Sequence, residues 1–184
     1  MIVKNIGLFI AALFLSTYST SALATPLQIL IIRHGEKDGG NGLSTLGFER
    51  AQKLVSFFET DPQATVDGIP VAIFAMAQNG LDGSIRPIQT VTPLAEALGL
   101  TVQTPFVRDD YPSLVKSILS NPSLNGKKIL ICWEHKVIPA MAAAFGVKPQ
   151  PADWDDSDFD TVYEINYSGD QVSSFKEFQE NVLN

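Results

Sequence analysis

The chain contains two histidines, and both follow short apolar segments. His34 comes after the run at 27–32 and stands beside Arg33, and His135 comes after the run at 129–133. Short runs rich in β-branched residues and bounded by polar residues or Gly are typical of buried strands in a parallel sheet. In an open α/β sheet, ligands bind just outside the carboxyl ends of the strands. The two histidines and the arginine are therefore predicted to lie together in a site that binds an anion.

The residue types at Arg33, His34 and Gly35 suit attack on phosphorus. A guanidinium pairs with tetrahedral oxyanions through two hydrogen bonds, and an imidazole is a nucleophile at neutral pH. Glycine allows a tight turn and a close approach of the ligand to the backbone. Arginines can neutralise the non-bridging oxygens while a ring nitrogen attacks in line. The alternative is a core histidine beside a surface arginine, and three residues alone do not decide between these interpretations.

Arg86 and His135 extend this pattern to two predicted helix starts. Arg86 follows the second predicted strand through a loop, at a helix N-terminus where backbone amides and the helix dipole favour anions. A protonated His135 would be a second charged donor to a phosphoryl oxygen. The structural alternatives are a solvated arginine and a histidine that begins a helix without a catalytic role. The parallel placement of Arg86 and Arg33 favours the functional interpretation.

Four motifs, in this order, resemble those of the histidine phosphatase superfamily, which also contains the cofactor-dependent phosphoglycerate mutases. They are Arg33-His34-Gly35, Leu43-Ser44-Thr45-Leu46-Gly47 with Ala51-Gln52 behind it, Ser84-x-Arg86-x-x-Gln89-Thr90, and His135 after an apolar strand. The resemblance implies that His34 is the phosphorylated nucleophile. It also implies that three residues form the phosphate pocket with it: Arg33, Arg86 and His135. Members of this group need no metal, and the sequence has no HExxH motif or His and Cys cluster. No cofactor is expected for this chain.

The proton donor for the leaving group is where the chain departs from this resemblance. A phosphomonoester leaving group needs a general acid near the bridging oxygen. In the acid-phosphatase branch this acid directly follows the second histidine, where this chain has Lys136. In the mutase-like branch it is a glutamate well downstream of the second arginine, and only Asp109 and Asp110 lie in roughly that region.

Asp110 is the preferred candidate for this acid, and Asp109, Glu134 and Glu36 are the alternatives. Asp109 and Asp110 would also suit capping of the helix that begins near Pro112. If Glu134 continues its strand, it is expected to point away from the second histidine. The general acid therefore stays open.

The order of predicted elements indicates an α/β protein. Predicted strands lie at 27–32, 71–75, 101–103, 128–133 and 161–167, and predicted helices begin at Ser44, between Ser84 and Pro87, at Pro112 and at Val137. This alternation predicts a mainly parallel sheet covered on both faces. The resemblance specifies a three-layer α/β/α sandwich of the phosphoglycerate mutase-like type. The final strand, at 161–167, is expected at a sheet edge and antiparallel, and the acidic loop at 153–158 either forms one wall of the site or is solvated and anchored by Trp154.

Residues 1–24 are predicted to be a signal peptide. Lys4 precedes an apolar stretch at 6–15, and Ala22-Leu23-Ala24 fits the small-x-small pattern of signal peptidase cleavage. An uncleaved N-terminal anchor is the alternative. Cleavage would leave residues 25–184 as a single domain, periplasmic or secreted, with no stable membrane insertion.

The composition limits the kinds of partner. The net charge of −7 argues against nucleic acid and anionic membranes, and a single cysteine, Cys132, allows no internal disulfide. The expected function is a metal-independent phosphatase that hydrolyses phosphomonoesters or phosphohistidine, on a small molecule or a protein, through a phosphohistidine on His34. The alternative is an inactive phosphate-binding or scaffold member of the same superfamily, because no obvious acid is present. The sequence does not indicate an oligomeric state.

Overall fold

A computed structural model of the chain describes residues 25–81 and 83–183. The predicted signal peptide, at 1–24, lies outside the described residues. In the described part of the chain, no helix is both long enough and apolar enough to cross a membrane.

The described residues form six strands and four α-helices. The strands are β1 (Gln28–Arg33), β2 (Ala72–Ala75), β3 (Val102–Gln103), β4 (Lys128–Trp133), β5 (Thr161–Ser168) and β6 (Gln171–Gln179). The helices are α1 (Thr45–Thr60), α2 (Arg86–Ala97), α3 (Tyr111–Leu119) and α4 (Ile138–Ala144). Short 3-10 turns lie at Arg108–Asp110, Pro122–Leu124 and His135–Val137.

All six strands belong to one sheet, in the order β3-β2-β4-β1-β5-β6. The first four strands in this order run parallel, and β5 and β6 are antiparallel to their neighbours. The mainly parallel sheet and the antiparallel direction of β5 are thus confirmed. The prediction that the strand at 161–167 forms the edge is wrong, because the chain turns back after Ser168 and adds β6 outside it.

Helices cover both faces of the sheet. Ile29 and Ile31 of β1 pack into one core with α3 and α4, whereas Leu30 and Ile32 pack into a second core with α1 and α2. Successive strand residues point to opposite faces, so a strand covered on both sides needs a continuous apolar run. These two cores confirm the three-layer α/β/α architecture.

The strand register brings the chemically interesting residues to one edge. Arg33 at the end of β1 pairs with Trp133 at the end of β4, and Ala75 at the end of β2 pairs with Cys132. The amide of His34 donates to the carbonyl oxygen of Trp133 at 3.2 Å. The loops that follow β1, β2 and β4 therefore start side by side.

Candidate active site

The backbone holds His34 in one tautomer. The side chain is buried, and its Nδ1 lies 2.7 Å from the carbonyl oxygen of Gly35. Because that oxygen can only accept, Nδ1 carries the ring hydrogen and Nε2 carries the lone pair. Burial lowers the pKa of His34 to about 4, although the bond to Gly35 opposes this shift. Electrostatic interactions with Arg86, Arg33 and His135 lower the pKa of His34 further.

Arg33 is buried, and backbone carbonyl oxygens of the acidic loop at 153–158 hold its guanidinium in place. Its Nη1 donates to the carbonyl oxygens of Asp156 and Asp158, both at 2.8 Å. The guanidinium carbon lies 3.7 Å from the centre of the Phe159 ring. Its Nε is buried and finds no hydrogen-bond partner among the residues that the structure describes. An unpaired buried donor is costly, so this nitrogen is a candidate donor to a bound oxyanion.

Arg86 is the first residue of α2, and the motif around it ties this helix to the loop after β1. Its Nε donates to Oγ of Ser84 at 2.8 Å. Oγ1 of Thr90 accepts from the Gly35 amide at 2.9 Å and donates to the Arg86 carbonyl oxygen at 2.8 Å. Oε1 of Gln89 accepts from the Leu43 amide at 2.8 Å. The spacing of this motif thus fixes α2 against the loop that begins with His34.

Helix α1 approaches the same loop so closely that position 47 has room only for glycine. A Cβ atom on Gly47 would lie 2.4 Å from the carbonyl oxygen of Glu36. Ser44 caps α1 as predicted, since its Oγ accepts from the Gly47 amide at 3.1 Å. The Ser44 amide in turn donates to the Glu36 carbonyl oxygen at 2.9 Å. The start of α1 therefore supports the backbone directly after His34.

His135 is buried after the end of β4 and has a carboxylate near each ring nitrogen. Its Nε2 lies 2.6 Å from Oδ1 of Asp156, and this hydrogen bond lowers the pKa of that aspartate. Its Nδ1 lies 3.0 Å from Oε1 of Glu134, at an angle that is not that of a hydrogen bond. A phosphate that binds His135 must share or displace one of these contacts.

Glu134 faces the site because it does not continue the strand, so the condition under which it would point away from His135 is not met. The extended strand ends at Trp133, and a 3-10 turn begins at His135. Neighbouring side chains alternate only while the chain stays extended, so the turn brings the imidazole back beside the Glu134 carboxylate. The predicted strand at 128–133 also ends before Glu134, but the turn that begins at His135 was not predicted.

Glu36 is held in an ion pair with Arg50. Both of its carboxylate oxygens accept from Arg50, with the shortest distance 2.7 Å from Nη2 to Oε1. Burial alone would raise the pKa of Glu36, but the hydrogen bonds from Arg50 outweigh this effect and hold the pKa below its usual value. An ionised carboxylate that is held in an ion pair is a poor proton donor, so the geometry argues against Glu36 as the general acid.

Asp109 and Asp110 lie on the exposed 3-10 turn before α3. Asp109 accepts from Nε of Arg108 at 2.8 Å. Asp110 occupies the N-cap position of α3 without a capping hydrogen bond from its side chain, so the capping alternative is wrong for this side chain. A catalytic role for Asp110 stays a prediction.

An open cavity of about 440 Å³ lies at this edge of the sheet. Its lining residues are Arg33, Lys37, Glu134, His135, Lys136, Asp156 and Phe159. Asp156 belongs to the acidic loop at 153–158, which the sequence analysis had indicated as a wall of the site, whereas no sequence signal indicated Phe159. Trp154 of that loop is buried and packs on Tyr163, with 4.8 Å between ring centres. The loop is thus anchored by its aromatic residue and also forms a wall.

Across residues 25–81 and 83–183, no group of three His, Cys, Asp or Glu side chains could hold a metal ion.

The chain has an α/β fold of the phosphoglycerate mutase-like type, which it shares with several phosphatases and a mutase of known structure. The protein histidine phosphatase SixA, solved with tungstate, matches with a TM-score of 0.60 at 11% identity, over 85% of this chain and 99% of that one. A mycobacterial glucosyl-3-phosphoglycerate phosphatase matches with a TM-score of 0.55 at 14% identity, over 83% and 96% of the two chains. Phosphoglycerate mutase from Bacillus anthracis matches with a TM-score of 0.52 at 11% identity, over 88% and 96%.

The similarity to these structures is one of fold, since the sequence identities are low. No protein-family model matches the sequence. No curated protein matches it either. The fold class expected from the four motifs is therefore confirmed, and the reaction has to be argued from the site itself.

Proposed function

We propose that this protein is a metal-independent phosphatase that transfers the phosphoryl group of its substrate to Nε2 of His34 and then to water. The observation that carries the proposal is the state of the His34 ring. Its Nδ1 hydrogen is bonded to the Gly35 carbonyl oxygen, and its pKa is lowered to about 4. The imidazole is therefore neutral at pH 7 with its lone pair on Nε2, which is the form that attacks phosphorus.

The cations around His34 suit a phosphoryl group. Arg33 and Arg86 approach from the ends of β1 and the start of α2, and His135 from the end of β4. Fixed cations that face the non-bridging oxygens stabilise charge as the phosphoryl group moves from oxygen to nitrogen. Water then attacks the phosphohistidine, the N–P bond breaks with its electron pair returning to Nε2, and inorganic phosphate leaves.

The rim of the cavity supports a substrate with a large leaving group. Lys37, Lys136 and Asp156 line the cavity and are exposed. A phosphate carried by a bulky small molecule or by a protein side chain can reach such an open site. Phosphomonoesters and phosphohistidine are both candidate substrates.

The test compares the wild type with His34→Gln on a panel of phosphomonoesters and a phosphohistidine peptide. We expect the wild type to release phosphate and the variant to bind phosphate without turnover. If the wild type binds inorganic phosphate but neither turns over any substrate nor becomes labelled, the protein is the inactive phosphate-binding form instead.

We also propose that the protein is exported and cleaved after Ala24, so that residues 25–184 form the working domain. The support is the pattern at 6–15 and 22–24. N-terminal sequencing of the exported protein is expected to start at Thr25. A start at Met1 would contradict cleavage.

A further inference from the structure

Glu134 is an acidic residue among the cations of the candidate phosphate site, and the proposed function so far gives it no role. Its side chain is 17% exposed, and Oε1 lies 3.0 Å from Nδ1 of His135. Its Oε2 is buried and has no hydrogen-bond partner within 25–81 and 83–183. A buried carboxylate oxygen without a partner is costly, so Oε2 is expected to meet a ligand.

The charges that act on Glu134 place it where the phosphate is expected to bind. Its carboxylate interacts electrostatically with Arg33, Arg86 and Arg108. Arg108 belongs to the 3-10 turn before α3, and its carbonyl oxygen accepts from Nε1 of Trp133 at 3.1 Å. A phosphate held by Arg33 and Arg86 therefore comes close to the Glu134 carboxyl group.

A bound phosphate and an ionised Glu134 carboxylate would repel each other. The contact becomes favourable when the carboxyl group is protonated, because it then donates a hydrogen bond to a phosphate oxygen. Binding of a phosphate dianion thus favours a protonated Glu134, and that proton is available to the bridging oxygen.

We propose that Glu134 is the general acid that protonates the leaving group, an inference that rests on the proposed phosphatase function. Nε2 of His34 forms a bond to phosphorus as the bond from phosphorus to the bridging oxygen breaks. The leaving oxygen keeps that electron pair and takes the proton from Oε2 of Glu134. In the second step, water attacks phosphorus, the N–P electron pair returns to His34, and the proton lost by the water is released to solvent, from which Glu134 regains its own proton.

The other carboxyl groups fit this role less well. Asp156 is exposed and has its pKa lowered by the hydrogen bond from His135. Glu36 is held by Arg50, and Asp110 does not line the cavity. Glu134 combines a buried, unpaired oxygen with a place in the cavity wall.

The experiment measures Glu134→Gln on two substrates that differ in their leaving groups. p-Nitrophenyl phosphate releases a stable anion that needs no proton, whereas phosphoserine releases an alkoxide that does. We expect kcat for phosphoserine to fall by roughly 10²- to 10⁴-fold, the size of a general-acid contribution. The rate with p-nitrophenyl phosphate is expected to fall far less.

Two matched variants and a labelling readout keep the outcomes distinct. Asp156→Asn and Asp110→Asn are expected to leave the ratio of the two rates as in the wild type, and Glu134→Asp is expected to restore part of the phosphoserine rate. Equal losses on both substrates in Glu134→Gln would overturn the proposal, and so would a selective loss in Asp110→Asn. Labelling of His34 by p-nitrophenyl phosphate in Glu134→Gln shows that the variant folds. Failure of the wild type to label would instead overturn the phosphatase itself.

Discussion

The two histidines differ in what surrounds each ring nitrogen. His34 has a carbonyl oxygen at Nδ1 and cations around it, and its pKa is lowered to about 4. His135 has Asp156 at Nε2 and Glu134 near Nδ1. The first environment suits a neutral nucleophile, and the second suits an imidazole that is oriented by anions. The roles proposed for the two residues follow from these neighbours.

The protonation of His34 can be measured directly because the chain has only two histidines. In a ¹⁵N-labelled sample, we expect one imidazole to titrate with a midpoint near pH 4, because burial disfavours its charged form. The nitrogen shifts above that pH should report hydrogen on Nδ1 and none on Nε2. The His135→Gln variant assigns the signal. A midpoint near 6.5, or a hydrogen on Nε2, would contradict the proposed nucleophile.

The motif residues of the site could be predicted from the sequence, and their neighbours could not. Arg33, His34 and Arg86 lie in local patterns whose spacing is set by a strand end or a helix start. The direction in which the Glu134 side chain points depends on which residue ends β4. If the strand ended one residue later, this side chain would point the other way. The contact of Asp156 with the site depends on how its loop folds back over the sheet, and no local pattern encodes this.

At the scale of elements, Arg50 joins α1 to three separate parts of the chain. It pairs with Glu36 in the loop after β1 and with Asp160 just before β5, with shortest distances of 2.7 Å. Its Nη1 also donates to Glu180 beyond the end of β6. The Arg50 side chain is 3% exposed. One buried guanidinium therefore holds the loop after β1 and the antiparallel strands β5 and β6 against α1.

Replacing Arg50 with Gln is expected to destabilise the protein by about 3–5 kcal/mol, because removal of one partner leaves buried charges uncompensated. Urea unfolding measures this change. Lys53→Gln on the same helix is the matched control, since its pair with Glu49 is exposed on both sides and such pairs contribute about 0–1 kcal/mol. Equal effects of the two substitutions would show that the Arg50 cluster is not important for stability.

The strands with strong apolar runs were predicted close to their observed bounds, whereas β6 was not predicted. β1 and β4 are buried along their whole length, which produces the continuous apolar signal. β6 lies at the sheet edge and has no fully buried residue. Edge strands carry little hydrophobic pattern, so no strand was predicted there.

At the scale of the whole molecule, the shifted pKa values of two buried groups, Glu180 and His34, make the free energy of unfolding depend on pH in opposite directions. Burial raises the pKa of Glu180 to about 8, although Arg50 opposes this, and Asp160 and Glu36 raise it further. The folded state therefore binds this proton more tightly than the unfolded state, and that stabilisation is lost as pH rises from about 4.5 to about 8. The contribution of His34 to stability has the opposite pH dependence, because its lowered pKa makes the folded state less stable as pH falls from 6.5 to about 4.

Glu180→Gln separates the first of these effects. The variant is expected to gain stability relative to the wild type as pH rises from 5 to 8, since a neutral amide has no proton to lose. Urea unfolding of both proteins across this range measures the difference in the free energy of unfolding. A difference that stays constant with pH would show that Glu180 is ionised throughout.

The central claim is that His34 accepts the phosphoryl group, and trapping of the phosphorylated protein tests it most directly. The full-length protein is mixed with p-nitrophenyl phosphate, quenched in alkali and digested, and the phosphate is located by mass spectrometry. We expect acid-labile phosphate on His34, and none in His34→Gln. Turnover without a phosphohistidine, or phosphate on any other residue, would contradict it.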